Sequence, residues 1–331
     1  MYNMKNVVAI VIILVFAGMV RGCATETNDF DGNDQQGVQI DLDEQEGTAT
    51  VRIGGEHFTT YRFGEDFRIP ILWPVIAEGG VTVTRNWPMG DDEPESRGDH
   101  PHQRSIWTAF GDVNGFDHWR EPPVGLPIIS QGVKVSSGDD SGVISARNTW
   151  VDDAGDPLVD DFREYRFYNS PASARIFDQK ITFRASYGDV TFGDDKEGLI
   201  AFRIRPEIKG NRAGILTNAR GRQGEQKVYE TPTEWMDYSG HIEGVGHRGI
   251  ALFVHPDNFR LPAWHVRDYG LVGCNFFAMN DVAGLEDGTY TLPHGAELTI
   301  YVRFLIHSGD VDAAGVQEHY EEYANTPVKA W

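Results

Sequence analysis

The chain is predicted to be an all-β protein, mainly antiparallel, folded as one large β-sandwich with a short C-terminal helix. Period-two alternation recurs from residue 48 to residue 306, punctuated by Gly, Asp, Asn and Pro, while helical periodicity is scarce. No shift in composition divides that span, so residues 47–331 are read as a single domain. Many strands at short spacing favour an antiparallel sandwich over a parallel α/β sheet.

The elements follow in order. Residues 50–53 (Thr-Val-Arg-Ile) and 81–85 (Val-Thr-Val-Thr-Arg) alternate cleanly. Residues 132–136 and 143–147 flank the turn-forming Ser137-Gly138-Asp139-Asp140-Ser141-Gly142 and read as a hairpin. Residues 175–184 alternate over a long span, whereas 199–204 and 249–254 are mostly apolar and read as buried strands. Residues 297–307 form the last strong strand, and 311–323, after Ser308-Gly309-Asp310, carry the best helical pattern.

Ahead of the domain, Lys5 precedes an uncharged apolar run at 7–20. Fourteen residues make a helix of about 21 Å, short against a hydrocarbon core of about 30 Å, so residues 1–22 read as a signal peptide. Val20-Arg21-Gly22-Cys23 resembles a bacterial lipobox, which makes Cys23 the expected lipidation site and places the protein in the periplasm or at the cell surface. Residues 23–46, polar and acidic, are expected to be a disordered tether, with Val38 and Ile40 able to begin an edge strand. With Cys23 lipidated, Cys274 has no disulfide partner and is expected to be a buried small hydrophobe.

A net charge of −21 and a pI near 4.8 argue against nucleic acid and anionic membranes as partners, leaving the lipid anchor as the expected membrane contact. The cations are 22 arginines against 7 lysines, and an acidic, lysine-poor surface suits a salty habitat.

Two stretches are crowded with polar and aromatic side chains. The first runs from Arg85 through Asp99-His100-Pro101-His102-Gln103-Arg104-Ser105-Ile106-Trp107 to His118 and Trp119. The second begins at His255-Pro256-Asp257-Asn258 and continues through Trp264-His265-Val266-Arg267-Asp268-Tyr269. In an extended segment His100 and His102 share a side, and Pro101 keeps His100 extended. Two imidazoles on one face suit acid–base chemistry or metal ligation. No cofactor is demanded; a divalent metal on His100 and His102 is the one candidate, and local spacing supplies no third ligand. Glu197, ahead of a buried strand, is a candidate carboxylate, and Tyr238 could line the same cleft.

Taken together, Arg85, the Asp99-His100-Pro101-His102-x-Arg104 block, Gly193-Asp194-x-Lys196-Glu197-Gly198, Trp235-x-Asp237-Tyr238-Ser239-Gly240 and Trp264-His265-x-Arg267-x-Tyr269-Gly270-Leu271 resemble a bacterial family labelled "methane oxygenase PmoA-like", in effect a family of unknown function. The resemblance spans roughly residues 67–307 and departs at Gln103 from the many members that carry a histidine there. It implies a large sandwich like that of galactose-mutarotase-like proteins and a role among polysaccharide-degrading proteins. The methane-oxygenase label does not transfer, because no membrane span of about 20 apolar residues follows the signal.

The leading expectation is a carbohydrate-active protein that cleaves or modifies a glycoside or modified sugar. Its proposed catalytic groups are His100, His102, His265, Asp99 and Glu197. Arg85, Arg104, Arg203 and Arg267 would bind charged substituents, Trp107, Trp119 and Trp264 would stack on sugar rings, and Tyr238 and Asn258 would add hydrogen bonds. The alternatives are a non-catalytic glycan-binding lipoprotein and a metal-dependent oxidoreductase using His100 and His102.

Overall fold

The computed structural model describes residues 37–229 and 231–328. The signal peptide, the lipobox at Cys23 and most of the expected tether lie outside the described residues.

Strands β1 (Val38–Asp43), β2 (Thr48–Ile53), β3 (Glu56–Arg62), β4 (Ile71–Ala77), β5 (Val81–Thr82) and β6 (Ile106–Phe110) come first. Four long strands follow: β7 (Ile128–Ser136), β8 (Ser141–Val151), β9 (Pro157–Tyr168) and β10 (Ala174–Arg184). Then come β11 (Val190–Phe192), β12 (Gly198–Arg203), β13 (Gly214–Asn218), the one-turn helix α1 (Glu225–Val228), β14 (Trp235–Ile242) and β15 (Gly246–Val254). The chain ends in β16 (Ala263–Arg267), β17 (Leu271–Asn275), β18 (Tyr290–Leu292), β19 (Glu297–Ser308) and α2 (Val316–Ala324).

One sheet has the order β1-β2-β3-β4-β6-β12-β17-β16, with β5 on β4; the other runs β13-β14-β15-β19-β10-β9-β8-β7, and every pairing is antiparallel. The expected all-β, antiparallel architecture is the one observed. Aromatic side chains interlock the sheets: Tyr61 meets Tyr165 at 5.4 Å, Phe58 meets Phe167 at 6.1 Å and Phe202 meets Phe304 at 6.5 Å. Burying such rings on both inner faces is what drives a two-layer fold. Thr108 also turns inward, accepting from Gln179 at 2.9 Å.

Two expected boundaries move. Strand β1 lies inside the stretch read as tether, where Val38 and Ile40 could begin a strand: both are buried, and β1 pairs with β2 through six residues. The helix expected over 311–323 starts only at Val316, since Gly315 takes a left-handed φ of 60° that interrupts helical geometry. The hairpin expected around residues 137–142 is the β7–β8 connection. Cys274 is buried among apolar residues, and burial raises its thiol pKa, so it behaves as a small core hydrophobe. No helix among the described residues is long and apolar enough to cross a membrane, which leaves strand-built spans aside.

Candidate functional site

The register of the first sheet decides which motif residues meet. Trp107 pairs with Ala201, Ala201 with Gly273 and Gly273 with His265, giving one row across β6, β12, β17 and β16. A second row joins Arg203, Leu271 and Arg267. Directly opposed residues of antiparallel strands share a face, as do residues two apart. Thr108 and Phe202 point at the other sheet, so Trp107, Arg203, His265 and Arg267 take the opposite, outer face. The polypeptide before β6 and before β12 lies over this face and brings the remaining groups.

Before β6, Arg85 organises the turn. Its guanidinium is buried and donates to the carbonyls of Asp99, His100 and Gln103, each at 2.7 Å. Burial lowers its pKa to about 9, which still leaves it cationic at neutral pH. His100 does not take the extended conformation that the following Pro101 predicts but sits in the left-handed region at φ 44°, a conformation the Arg85 bonds hold in place. Arg203, also buried, donates to the Asp99 carboxylate and to Gln103 Oε1, and lies 4.3 Å from the Tyr269 ring centroid. Burial opposes ionisation of Asp99, but the His100 hydrogen bond, Arg203 and Arg85 hold its carboxyl well below the usual range.

Above this foundation the polar cluster assembles. Asp99 accepts from His100 Nδ1, which fixes the ring and leaves Nε2 facing outward; the His100 side chain is 43% exposed. Its ring stacks on Tyr269 at 4.9 Å and meets His102 edge-on at 5.7 Å. Burial, with help from His100 and Arg68, depresses the His102 pKa to about 4. His265 Nδ1 lies 3.0 Å from the Lys196 carbonyl, an atom that only accepts, so Nδ1 carries the proton and Nε2 the lone pair. Burial first, then Arg267, depresses its pKa to about 3, and the charge of His100 contributes.

Glu197 Oε2 stands 3.8 Å from His265 Nδ1, and Oε1 is 3.6 Å from Arg120 Nη2. Burial raises the Glu197 pKa, with Asp195 and Asp117 adding to the shift against the pull of Arg120 and Lys196. A neutral imidazole beside a carboxyl with raised proton affinity is therefore a polar contact rather than an ion pair. Gly111 permits the close approach: a Cβ there would lie 2.8 Å from Asp195 Oδ1 and 2.9 Å from Glu197 Cβ. Burial likewise raises the Tyr269 pKa, keeping the phenol protonated.

The structure thus brings His100, His102, Asp99, Glu197 and His265 to one face, with Tyr269 and Arg120 among them. Neither Tyr269 nor Arg120 was nominated from sequence. Tyr269 belongs to the turn after β16, four residues beyond His265, and a hairpin reading of 263–275 would have placed it. Arg120 follows the aromatic Phe116-Asp117-His118-Trp119 run, and Asp117 captures both its backbone N–H and its guanidinium.

Other nominated residues take different parts. Trp107, Trp119 and Trp264 are no more than 1% exposed and offer no face to a sugar. Trp107 and Trp119 pack together at 5.0 Å beneath the loops, while Trp264, between two outward residues of β16, must point inward. Arg85 and Arg203 hold the 99–103 turn instead of reaching solvent. Arg104 is tied to Glu121 at 3.0 Å and to the Pro101 carbonyl. Tyr238 bonds Asp268 O at 2.9 Å, which braces the turn carrying Tyr269. Asn258 caps a bend against β19, accepting from Tyr301 N and donating to Tyr301 O and His255 O, apart from the cluster. Arg267 lies over the Tyr229 ring at 4.6 Å, with Glu225 3.9 Å away.

Among the described residues, no three His, Cys, Asp or Glu side chains are arranged to share a metal ion. His100 and His102 therefore gain no third protein donor for the divalent metal considered from sequence, and no chemistry is routed through one.

A family model described as a family of unknown function, DUF6807, matches residues 48–321. The chain belongs to the DUF6807 family. That description carries no methane-oxygenase name and agrees with the unknown-function half of the sequence resemblance. Comparison with curated proteins gives no match. Among solved structures, the DUF6807 chain is similar to a heparan sulfate lyase HepC mutant from Pedobacter heparinus, with TM-score 0.41 and 8% identity over 82% of this chain and 36% of that one. It is similar to an α-galactosidase from Lactobacillus brevis, with TM-score 0.40 and 11% identity, covering 82% of this chain and 39% of that one. A galactose mutarotase-like protein from Clostridium acetobutylicum aligns with TM-score 0.36 and 8% identity over 84% of this chain and 100% of that one. The DUF6807 chain therefore spans little more than a third of the length of the first two.

Proposed function

We propose that this protein is an exported, lipid-anchored, carbohydrate-active enzyme that cleaves or modifies a glycoside by proton transfer on the outer face of the first sheet. The observation that carries the reading is the placement of the Glu197 carboxyl 3.8 Å from the His265 ring, on the face that also holds the His100 and His102 pair. His102 and His265 are depressed to about 4 and about 3, and Glu197 is shifted the opposite way. Neighbouring titratable groups whose environments push their proton affinities apart are the signature of an acid–base pair.

The roles follow from the atoms. His265 Nε2 bears a lone pair fixed by the Lys196 carbonyl on the other ring nitrogen, and it acts as a proton acceptor together with His102. Glu197 and the Tyr269 hydroxyl are the donors. Asp99 orients His100, whose outward edge meets the substrate. Arg120 lies against Glu197 and limits how far its proton affinity rises. Aromatic contact with a sugar comes from Tyr229, which is partly exposed, in place of the buried tryptophans.

The test is turnover of a broad oligosaccharide panel by the pure domain and by Glu197→Gln and His102→Asn variants. General acid–base groups contribute about 10² to 10⁴ in rate, and losses of that size in folded variants are expected. Binding without product by the wild-type protein would make it a glycan-binding module; no binding at all would remove the sugar reading.

A further inference from the structure

We infer that the sugar accepted by this site is uncharged, and that its glycosidic bond is opened by hydrolysis rather than by elimination across a uronate; this rests on the glycoside-processing reading above. An acidic sugar needs a cation with an open face. Here the cations are already taken. Arg85 and Arg203 converge on Asp99, and Lys209 Nζ lies 3.9 Å from the same carboxylate. Arg104 pairs with Glu121 at 3.0 Å, Arg120 bridges Asp117 and Glu197, and Arg267 has Glu225 at 3.9 Å. Lys196 is the exception, with no carboxylate within 4.0 Å among the described residues, although its charge acts on Glu197, which follows it in the chain.

An incoming carboxylate or sulfate would have to displace one of these partners and then lie beside it, since the partners are fixed to the fold. The chain as a whole carries −21, so a polyanionic glycan is also repelled on approach, over a range of about 8 Å at physiological salt. Paired guanidinium and carboxylate groups still present N–H donors and oxygen lone pairs side by side, which is what a row of hydroxyls requires.

The substrate class constrains the reaction. Elimination across a uronate removes a proton from the carbon next to a carboxylate, and an uncharged sugar lacks that group. Hydrolysis remains. A water molecule gives a proton to an imidazole nitrogen and its hydroxyl to the anomeric carbon. The C–O bond electrons go to the leaving oxygen, which takes the Glu197 proton. The imidazolium proton then returns to the Glu197 carboxylate, so each turnover consumes one water and yields two hydroxyl-bearing sugars.

The experiment uses the whole mature chain and a panel of backbone-matched oligosaccharides, each in neutral, uronate and sulfated form. Binding is read by calorimetry and products by reducing-end release and near-ultraviolet absorbance. The expected result is binding at least about 10-fold tighter for neutral members. That affinity should be nearly constant between about 0.05 and about 0.5 M salt, with new reducing ends and no unsaturated product. Tighter binding of the acidic members, or an unsaturated product, would overturn this inference while leaving the acid–base cluster standing. Failure of every member to bind would overturn both readings.

Discussion

Replacing Arg85 with methionine separates a residue that builds the site from one that binds substrate. Its guanidinium is 0% exposed and donates to three carbonyls at 2.7 Å, all in the turn that presents His100 and His102. Methionine keeps most of the length and apolar stem and removes every donor. Hydrogen bonds to a charged group are worth about 1.5–3 kcal/mol each. Asp99 and His100 are partly exposed, so water can recover part of what their carbonyls lose; Gln103 is buried and cannot recover it this way. The expected net loss is about 3–5 kcal/mol, in the range for breaking a buried charged network. Urea denaturation with linear extrapolation reads this directly, and the thermal midpoint should fall by roughly 6–15 °C for a domain of this size. Arg85→Lys should recover only part of the loss, because one ammonium cannot span three acceptors in a fixed fork. A stability change under about 1 kcal/mol in Arg85→Met, with ligand binding lost, would refute the assignment and return Arg85 to the substrate.

Further outcomes follow from the same geometry. His265 and His102 have folded pKa values near 3 and 4, below the ordinary 6.5, so the unfolded chain binds more protons between those limits. Stability should therefore fall as pH drops from about 6.5 toward about 4, by up to about 1.4 kcal/mol per pH unit per histidine, and His265→Gln should flatten the slope in urea titrations. In kinetics the acid limb of kcat/KM should lie near pH 4 instead of near 6.5, because the accepting imidazoles stay neutral over that range; a limb at 6.5 would assign the base elsewhere. Gly111→Ala should push Glu197 out of place, lowering kcat about 10-fold or more, since the new methyl meets Asp195 Oδ1 and Glu197 Cβ inside 3.0 Å. Cys23→Ser should shift the exported protein from the membrane to the soluble fraction, and an unchanged membrane fraction would argue against lipidation.

The fold was legible because its signal is local. Alternation at 175–184 and 297–307 specifies two long strands, and these pair through eleven residues at the centre of the second sheet. The site was legible in part. His100 and His102 lie within one dense segment, and His265 and Arg267 announce a shared face by their spacing. Which way that face points depends on pairing with β17 and β12, a non-local fact. Trp264 illustrates the difficulty, because its neighbours' outward direction forces it inward. The arginines mislead for a related reason: sequence shows a cation, while only the fold shows that Asp99 and the 99–103 carbonyls already surround it. Tyr269 stands in the second crowded stretch but received no role there, because turn residues carry no periodic signal to show which way they point.

The most direct measurement is reducing-end release from neutral oligosaccharides by the wild-type chain and by Glu197→Gln, with thermal midpoints recorded in parallel. Release by the wild type, a loss of at least about 100-fold in the variant and an unchanged midpoint are predicted. Equal rates for the two proteins, or no release by the wild type from any glycan that it binds, would contradict an acid–base site at this face.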